Sequence, residues 1–225
     1  MPQDERKLIS AIDGPSGAGK GTVARAVAAE LSYRHVDSGA MYRAVAWKAL
    51  YDEVPLEDED EVTRLAARAV IELLPSAVVI DGHDVTRDIR TPRIDRAATA
   101  VARLPGVRGV LVNRQRALAA NGGIVMEGRD IGSVVFPNAD LKIYLDASPE
   151  ERARRRANDP AHSGGSAVVA EVATALTARD ELDRTRTTSP LYVAPDAVVV
   201  DTTDKNVQQV VDEVLALIAQ RTASS

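Results

Sequence analysis

The chain contains no cysteine. That absence removes disulfides, a thiolate nucleophile and a zinc–thiolate centre together. Aromatic residues are scarce, 3% of 225 residues, with one tryptophan and one phenylalanine. A core must therefore be built from Val, Ala, Leu and Ile, and an apolar content of 45% supplies it. No apolar run approaches the roughly 20 residues of a membrane-spanning helix, so no membrane partner is expected. The first seven residues are polar and lack the apolar segment of a secretory signal, so a cytoplasmic location is expected. The three histidines, His35, His83 and His162, share no ligand spacing and are assigned to no metal site. Positive charge does not dominate either. The formal net charge of −5 argues against general affinity for nucleic acid. No conspicuous apolar stripe offers a subunit contact, and a monomer is expected.

What is present is organised around Gly14-Pro15-Ser16-Gly17-Ala18-Gly19-Lys20-Gly21-Thr22. An apolar run, Leu8-Ile9-Ser10-Ala11-Ile12, precedes it and reads as a buried strand. Val23, Ala24, Val27, Ala28 and Leu31 follow at the spacing of an amphipathic helix. Strand, glycine-rich loop and helix together make a phosphate-binding loop. Glycines let backbone N–H groups close around an anion, and the helix start adds unpaired N–H groups and the positive end of its dipole. Lys20 is placed to reach the outer phosphates, and Thr22 to help hold a metal shell. Gly21 stands where the common pattern has Ser or Thr directly after Lys. The order Gly-Lys-Gly-Thr resembles the loop of nucleoside-monophosphate kinases.

Further along, residues 34–37 read as a second strand and 40–51 as a helix, with Trp47 as a core anchor. Ser38 and Arg43 fall near a strand's carboxyl end, where parallel α/β sheets bind ligands. Taken alone, Ser38 would serve as an ordinary helix N-cap and Arg43 as a solvated helix residue. The acidic run 57–61 reads as a solvated loop and helix start. A helix from 62 to about 74 is expected, stopped by Pro75. Residues 77–85 read as a β-hairpin turning on Asp81-Gly82. Helices at 91–103 and 107–120 follow, then strands at 124–126 and 141–145. The first of these ends in Glu127-Gly128-Arg129-Asp130, an acid at a strand end that resembles the second phosphate-site motif of such folds, where a carboxylate orients magnesium-bound water; taken alone, it would equally be a simple turn. Pro149 opens a basic helix carrying Arg152, Arg154, Arg155 and Arg156, broken at 158–165. Arginines around a glycine-bearing break suit a mobile lid over phosphates. A long helix from 167 to 183 carries Arg179 and Asp183, four apart, which would equally form a surface ion pair. Strand 197–200 and helix 207–220 close the chain.

The expected fold is α/β: a five-stranded parallel P-loop sheet flanked by helices, with an inserted region holding a small β-hairpin sheet, and a lid. One domain is expected, with a core of about 1–39 and 105–225, an insertion of about 40–104 and a lid of about 152–166. At full length the chain resembles the bacterial cytidylate kinases. The phosphate loop carries the resemblance, with Asp37-Ser38-Gly39-Ala40-Met41-Tyr42-Arg43, Asp84-Val85-Thr86, Ile89-Arg90-Thr91, Glu127-Gly128-Arg129-Asp130-Ile131-Gly132, Val135-Phe136-Pro137, and Arg179-Asp180 with Asp183 and Arg186.

The resemblance implies ATP as phosphate donor, Mg2+ carried with it near Thr22 and Glu127, and CMP or dCMP as acceptor. It implies that Lys20 and the backbone of Gly17, Ala18, Gly19, Gly21 and Thr22 hold ATP phosphates. Arg43, Arg129 and Arg186 would hold the CMP phosphate, with Ser38 beside them, and Arg179 would bridge phosphates or ribose. Asp183 would accept from ribose hydroxyls, and Thr99, Arg108 and Asp130 would read cytosine. Lys20, Arg129, Arg179 and Arg186 are the residues expected to act on the transferring phosphate. Two rivals stand beside this reading. One is another small-molecule P-loop kinase, acting on UMP, dTMP or shikimate. The other is a nucleotide-binding regulator that senses ATP without chemistry.

Overall fold

The structure is a computed structural model and describes residues 7–159 and 168–223. Among these residues, the first half runs β1 (Ile9–Asp13), α1 (Lys20–Glu30), β2 (Arg34–Asp37), α2 (Ser38–Tyr51), α3 (Glu59–Arg68), β3 (Ile71–Leu73), β4 (Val78–Ile80), β5 (His83–Asp84), α4 (Pro92–Val101) and α5 (Pro105–Leu118). It continues with β6 (Ile124–Glu127), a π turn at Ile131–Val135, β7 (Leu141–Asp146), α6 (Pro149–Ala157), α7 (Val169–Thr185), β8 (Val198–Asp201) and α8 (Val207–Ala223). Most of the expected break after α6, from residue 160 onward, lies outside the described residues.

Five strands form one parallel sheet in the order β2-β6-β1-β7-β8. The side-chain period of two splits each strand between two cores. Ile12, Val125, Ile143 and Val200 face α1 and α8, whereas Ala11, Val36, Ile124 and Met126 face Val112 and Ala119. In register, Ile12 and Asp37 both lie beside Glu127, and Asp13 beside Tyr144. Acidic residues thus collect at the carboxyl edge, where the chain turns into the loops that line the cleft.

β3, β4 and β5 make a separate antiparallel sheet. Its turn is the one expected, with Asp81 and Gly82 at φ 48° and 80°, the two left-handed positions that a tight hairpin needs. The helix expected from 62 to 74 is corrected. α3 starts at Glu59, capped by the Asp58 carboxylate accepting from Glu61 N at 2.9 Å, and ends at Arg68. Residues Ile71, Glu72 and Leu73 instead pair with Ile80, Val79 and Val78. Their apolar spacing continues the helical pattern, but the hairpin downstream offers ladder partners that a free helix end lacks.

α2, α3, α4 and α5 share one core through Met41, Val45, Leu65, Ala98, Val101 and Leu111. Trp47 is half-buried and packs against the core formed by Ala40, Ala44, Ile80 and Ile89, so it anchors that core from its edge. It stacks on the exposed Tyr51 with ring centroids 4.8 Å apart, and His83 lies 5.6 Å from its ring.

Candidate active site

A cavity of about 880 Å³ opens at the carboxyl edge of the parallel sheet. One wall is the glycine-rich loop. Gly19 adopts φ 90° directly before the first residue of α1, so the chain reverses hand where the helix begins. Gly21 accounts for the unusual order after Lys20: a Cβ there would stand 2.9 Å from Glu127 Oε1. Lys20 is buried and donates from Nζ to Pro15 O at 2.7 Å. Burial, reinforced by repulsion from Arg129, pushes its ammonium down to about 7.

Behind the loop, Asp13 accepts from Ile131 N at 2.8 Å and from Gly132 N at 2.7 Å. Burial outweighs these two hydrogen bonds and pushes its carboxyl up to about 6. Arg152 is also behind the loop, which corrects its grouping with the lid arginines. It is buried, pairs with Asp180, and donates to Ser16 O at 3.2 Å and Ala147 O at 3.1 Å. On α6 it faces inward with Ala153 and Ala157, while Arg154 points to solvent and pairs with Glu151 at 2.7 Å.

The opposite wall is made of arginines and carboxylates from distant elements. Arg43 Nη2 lies 2.7 Å from Asp37 Oδ2. Asp37, not Ser38, caps α2, accepting from Ala40 N at 3.0 Å, and this corrects the N-cap reading of Ser38. The Ser38 hydroxyl, inside the first turn, donates to Glu127 O at 2.7 Å. Arg129 Nε donates to Asp183 Oδ2 at 3.0 Å. Arg108 pairs with Asp130, and Arg186 Nη2 lies 3.6 Å from the other Asp130 oxygen. Arg179 does not pair with Asp183: its Nη1 lies 3.3 Å from Asp95 Oδ1, and Arg156 takes the second Asp95 oxygen. Thr99, one turn along α4, donates to Asp95 O at 2.9 Å. His35 Nε2 sits 3.2 Å from Glu127 Oε1.

These pairings leave cationic donors over. Arg43 Nε, Arg179 Nε and Arg186 Nη2 are buried without a hydrogen-bond partner. Buried guanidinium N–H groups left in that state fit a cleft made to receive an anion. Burial and then repulsion from Arg129 push Arg179 below its usual value. Burial alone would raise Asp183, but Arg129, Arg179 and Arg186 together hold it below the usual carboxylate range. It stays ionised and accepts hydrogen bonds.

Ser16, Gly17, Ala18, Gly19, Lys20, Gly21 and Thr22 line the cavity, with Ser38, Arg43, Thr99, Arg108, Glu127, Arg129, Asp130, Arg179, Asp183 and Arg186 opposite. Gly14 and Pro15, at the head of the loop, are not among the lining residues. Sequence reasoning gives no role to Asp13, Tyr42, Asp95 or Ser189, and places Arg156 only among the arginines beside the lid. Asp13 had a signal, an acid at a strand end directly ahead of the loop. Tyr42 lies under the Arg108 guanidinium, 5.6 Å from ring centroid to charge, and burial pushes its phenol up to about 12. Among the described residues no three His, Cys, Asp or Glu side chains gather as a metal site, and no helix is long and apolar enough to cross a membrane.

A family model described as cytidylate kinase matches residues 10–220. The chain is 48% identical over 214 residues to a cytidylate kinase of Pelotomaculum thermopropionicum, covering 93% of this chain and 95% of that one. It is 47% identical over 216 residues to a cytidylate kinase of Desulfitobacterium hafniense, covering 95% and 93%. Among solved structures, a gluconokinase from Sinorhizobium meliloti superposes with a TM-score of 0.52 at 16% identity, covering 99% of this chain and 97% of that one, a likeness of fold alone.

Proposed function

The chain belongs to the cytidylate kinase family, and from that premise we propose how its cleft performs the reaction, the ATP-dependent phosphorylation of CMP and dCMP. The γ-phosphorus of ATP gains a bond to a phosphate oxygen of CMP and loses its bond to the bridging oxygen of ADP. The attacking oxygen is already anionic near neutral pH, so no general base is needed. The barrier is the repulsion between two polyanions and the need for in-line approach. The chain answers with positive charge and rigid geometry.

Lys20 and the loop N–H groups take the ATP phosphates. Arg43, Arg129 and Arg186, with Ser38, take the acceptor phosphate, and Arg179 spans the two. Asp183 accepts from the ribose hydroxyls. Mg2+ suits the hard oxygens of Thr22 and Glu127, and when bound it offsets charge on the ATP phosphates. Residues 40–104 would form the acceptor-binding region, and the lid expected over about 152–166 would leave out the inward-facing Arg152, on a core of 1–39 and 105–225, in a cytoplasmic monomer.

One observation carries the choice of base. Arg108 and Asp130 stand side by side in the cavity wall, a fixed donor beside a fixed acceptor. Cytosine presents the complement, an acceptor at N3 beside an amino donor at N4. Uracil presents the reverse, a donor at N3 and an acceptor at O4. Thr99, which both donates and accepts, contributes less. Mismatched buried polar groups cost up to about 10⁴ in kcat/KM. We expect CMP far ahead of UMP, and Asp130→Asn to narrow the gap because an amide donates to O4. Equal kcat/KM for the two acceptors in the wild type would refute this base reading and favour a broader pyrimidine kinase. ATP consumption unaffected by any acceptor would favour a nucleotide sensor.

A further inference from the structure

We propose that Ser189 is a positioning residue that sets the base-reading arginine and the phosphate-binding arginine in register with one another. The proposal rests on the reading of Arg108 and Arg186 given above. Ser189 lies in the turn after α7, at φ 54°, in the left-handed region that non-glycine residues rarely occupy. Glycine would adopt this conformation without strain, but glycine has no hydroxyl. Here the Ser189 hydroxyl accepts from Arg108 Nε at 3.2 Å, and its carbonyl accepts from Arg186 Nε at 2.5 Å. The same residue therefore holds the inner nitrogen of both guanidiniums. Their outer nitrogens then turn to the two oxygens of Asp130.

The turn itself is well fixed. Pro190 follows, and its ring sterically restricts the backbone of Ser189 before it. Leu191 N donates to Asp183 O at 2.8 Å, tying the turn back onto α7 beside the carboxylate proposed for ribose. Strain at a residue whose side chain and carbonyl both point into a binding network is the pattern of a position kept for geometry. The two contacts are separable, since the hydroxyl serves Arg108 and the main-chain carbonyl serves Arg186. Substituting the side chain should loosen base reading and leave phosphate binding in place.

The test compares Ser189→Ala, Ser189→Gly and Ser189→Asn with Arg108→Ala, reading KM for CMP, KM for ATP, kcat, the CMP-to-UMP ratio of kcat/KM, and thermal stability. We expect Ser189→Ala to raise KM for CMP and lower the CMP-to-UMP ratio, each by about tenfold, with kcat and KM for ATP held within about twofold. Ser189→Gly, relieved of strain, should be at least as thermally stable as the wild type and still lose selectivity, which a merely structural role would not produce. Ser189→Asn tolerates the left-handed backbone and keeps a side-chain acceptor, so it should recover part of the selectivity. Combined with Arg108→Ala, Ser189→Ala should add no further loss, because the hydroxyl acts through that arginine. Selectivity retained by both Ser189→Ala and Ser189→Gly, while Arg108→Ala loses it, overturns the proposal. Selectivity retained by Arg108→Ala overturns the base reading instead, and the role of Ser189 falls with it.

Discussion

The two walls of the cleft are made of different material. Along the glycine-rich loop the lining is main chain: Gly19 and Gly21 are held by backbone conformation and by contact with Glu127, and one buried lysine supplies charge. Opposite, the lining is side chain, with guanidiniums from α2, α5, α7 and the turn after β6 each set against a carboxylate from elsewhere. The first wall keeps its shape because few torsions are free. The second keeps its shape by charge balance, and a ligand anion entering it would meet the N–H groups of Arg43, Arg179 and Arg186 left without a partner while competing with the carboxylates beside them. On the proposed assignment of the two walls, recognition of the acceptor would be a competition between anions, and recognition of ATP phosphates a fit to a preset cradle.

This contrast is sharpest behind the loop. Removing Arg152 would leave Asp180 buried and unpaired, which costs about 3–5 kcal/mol. Arg152→Ala should lower the melting temperature accordingly, whereas Arg129→Ala, whose partner Asp183 faces the cleft, should lower turnover with a smaller loss of stability. Thermal unfolding and kcat measured on both variants would break the comparison if the two losses came out alike. Next in size is Lys20→Ala, which should keep the fold and reduce turnover by about a hundredfold or more. Near-normal turnover in the folded variant would remove the loop wall from the chemistry.

The smallest effect is in pH. Lys20 titrates at about 7 in the free protein, below its usual value because burial disfavours the ammonium. Above that pH the free lysine is largely neutral, and bound phosphates restore its charge. Nucleotide binding at pH 8 should then take up close to one proton, visible in calorimetry across buffers of different ionisation enthalpy. Since the unfolded chain keeps this proton up to about 10.5, Lys20 makes stability rise with pH between about 7 and 10.5. Binding at pH 8 without proton uptake would mean the ammonium is already charged in the empty cradle.

The same contrast governs what the sequence made legible. The loop could be read directly because each residue's role depends on its neighbours in the chain. Asp37 and Arg43 lie six residues apart, at the cap and in the second turn of α2, and fall within one short motif of the sequence. Asp95 and Arg179 meet only through tertiary packing, and nothing local in either segment marks the pair. Within one run, Arg152 and Arg154 look alike, and only the helical phase of α6 sends the first inward and the second to solvent. The end of α3 is hidden from the sequence for a similar reason. Ile71, Glu72 and Leu73 are assigned by strands that come later in the chain, and their own apolar pattern suits either structure. Ser189 gave no sign at all, because a left-handed serine is a property of the folded turn.

The chain has a single tryptophan, and α2 places it at the rim of the region proposed to hold the acceptor, stacked on Tyr51 and flanked by His83. All of the protein's indole emission therefore comes from one helix, the helix whose first two turns carry Ser38 and Arg43. An optical signal excited at the red edge reports on that helix without a label. The stacked Tyr51 and the nearby His83 ring set the surroundings of that indole, so its emission in a titration with CMP or ATP would read a change carried along α2 from the end that bears Ser38 and Arg43.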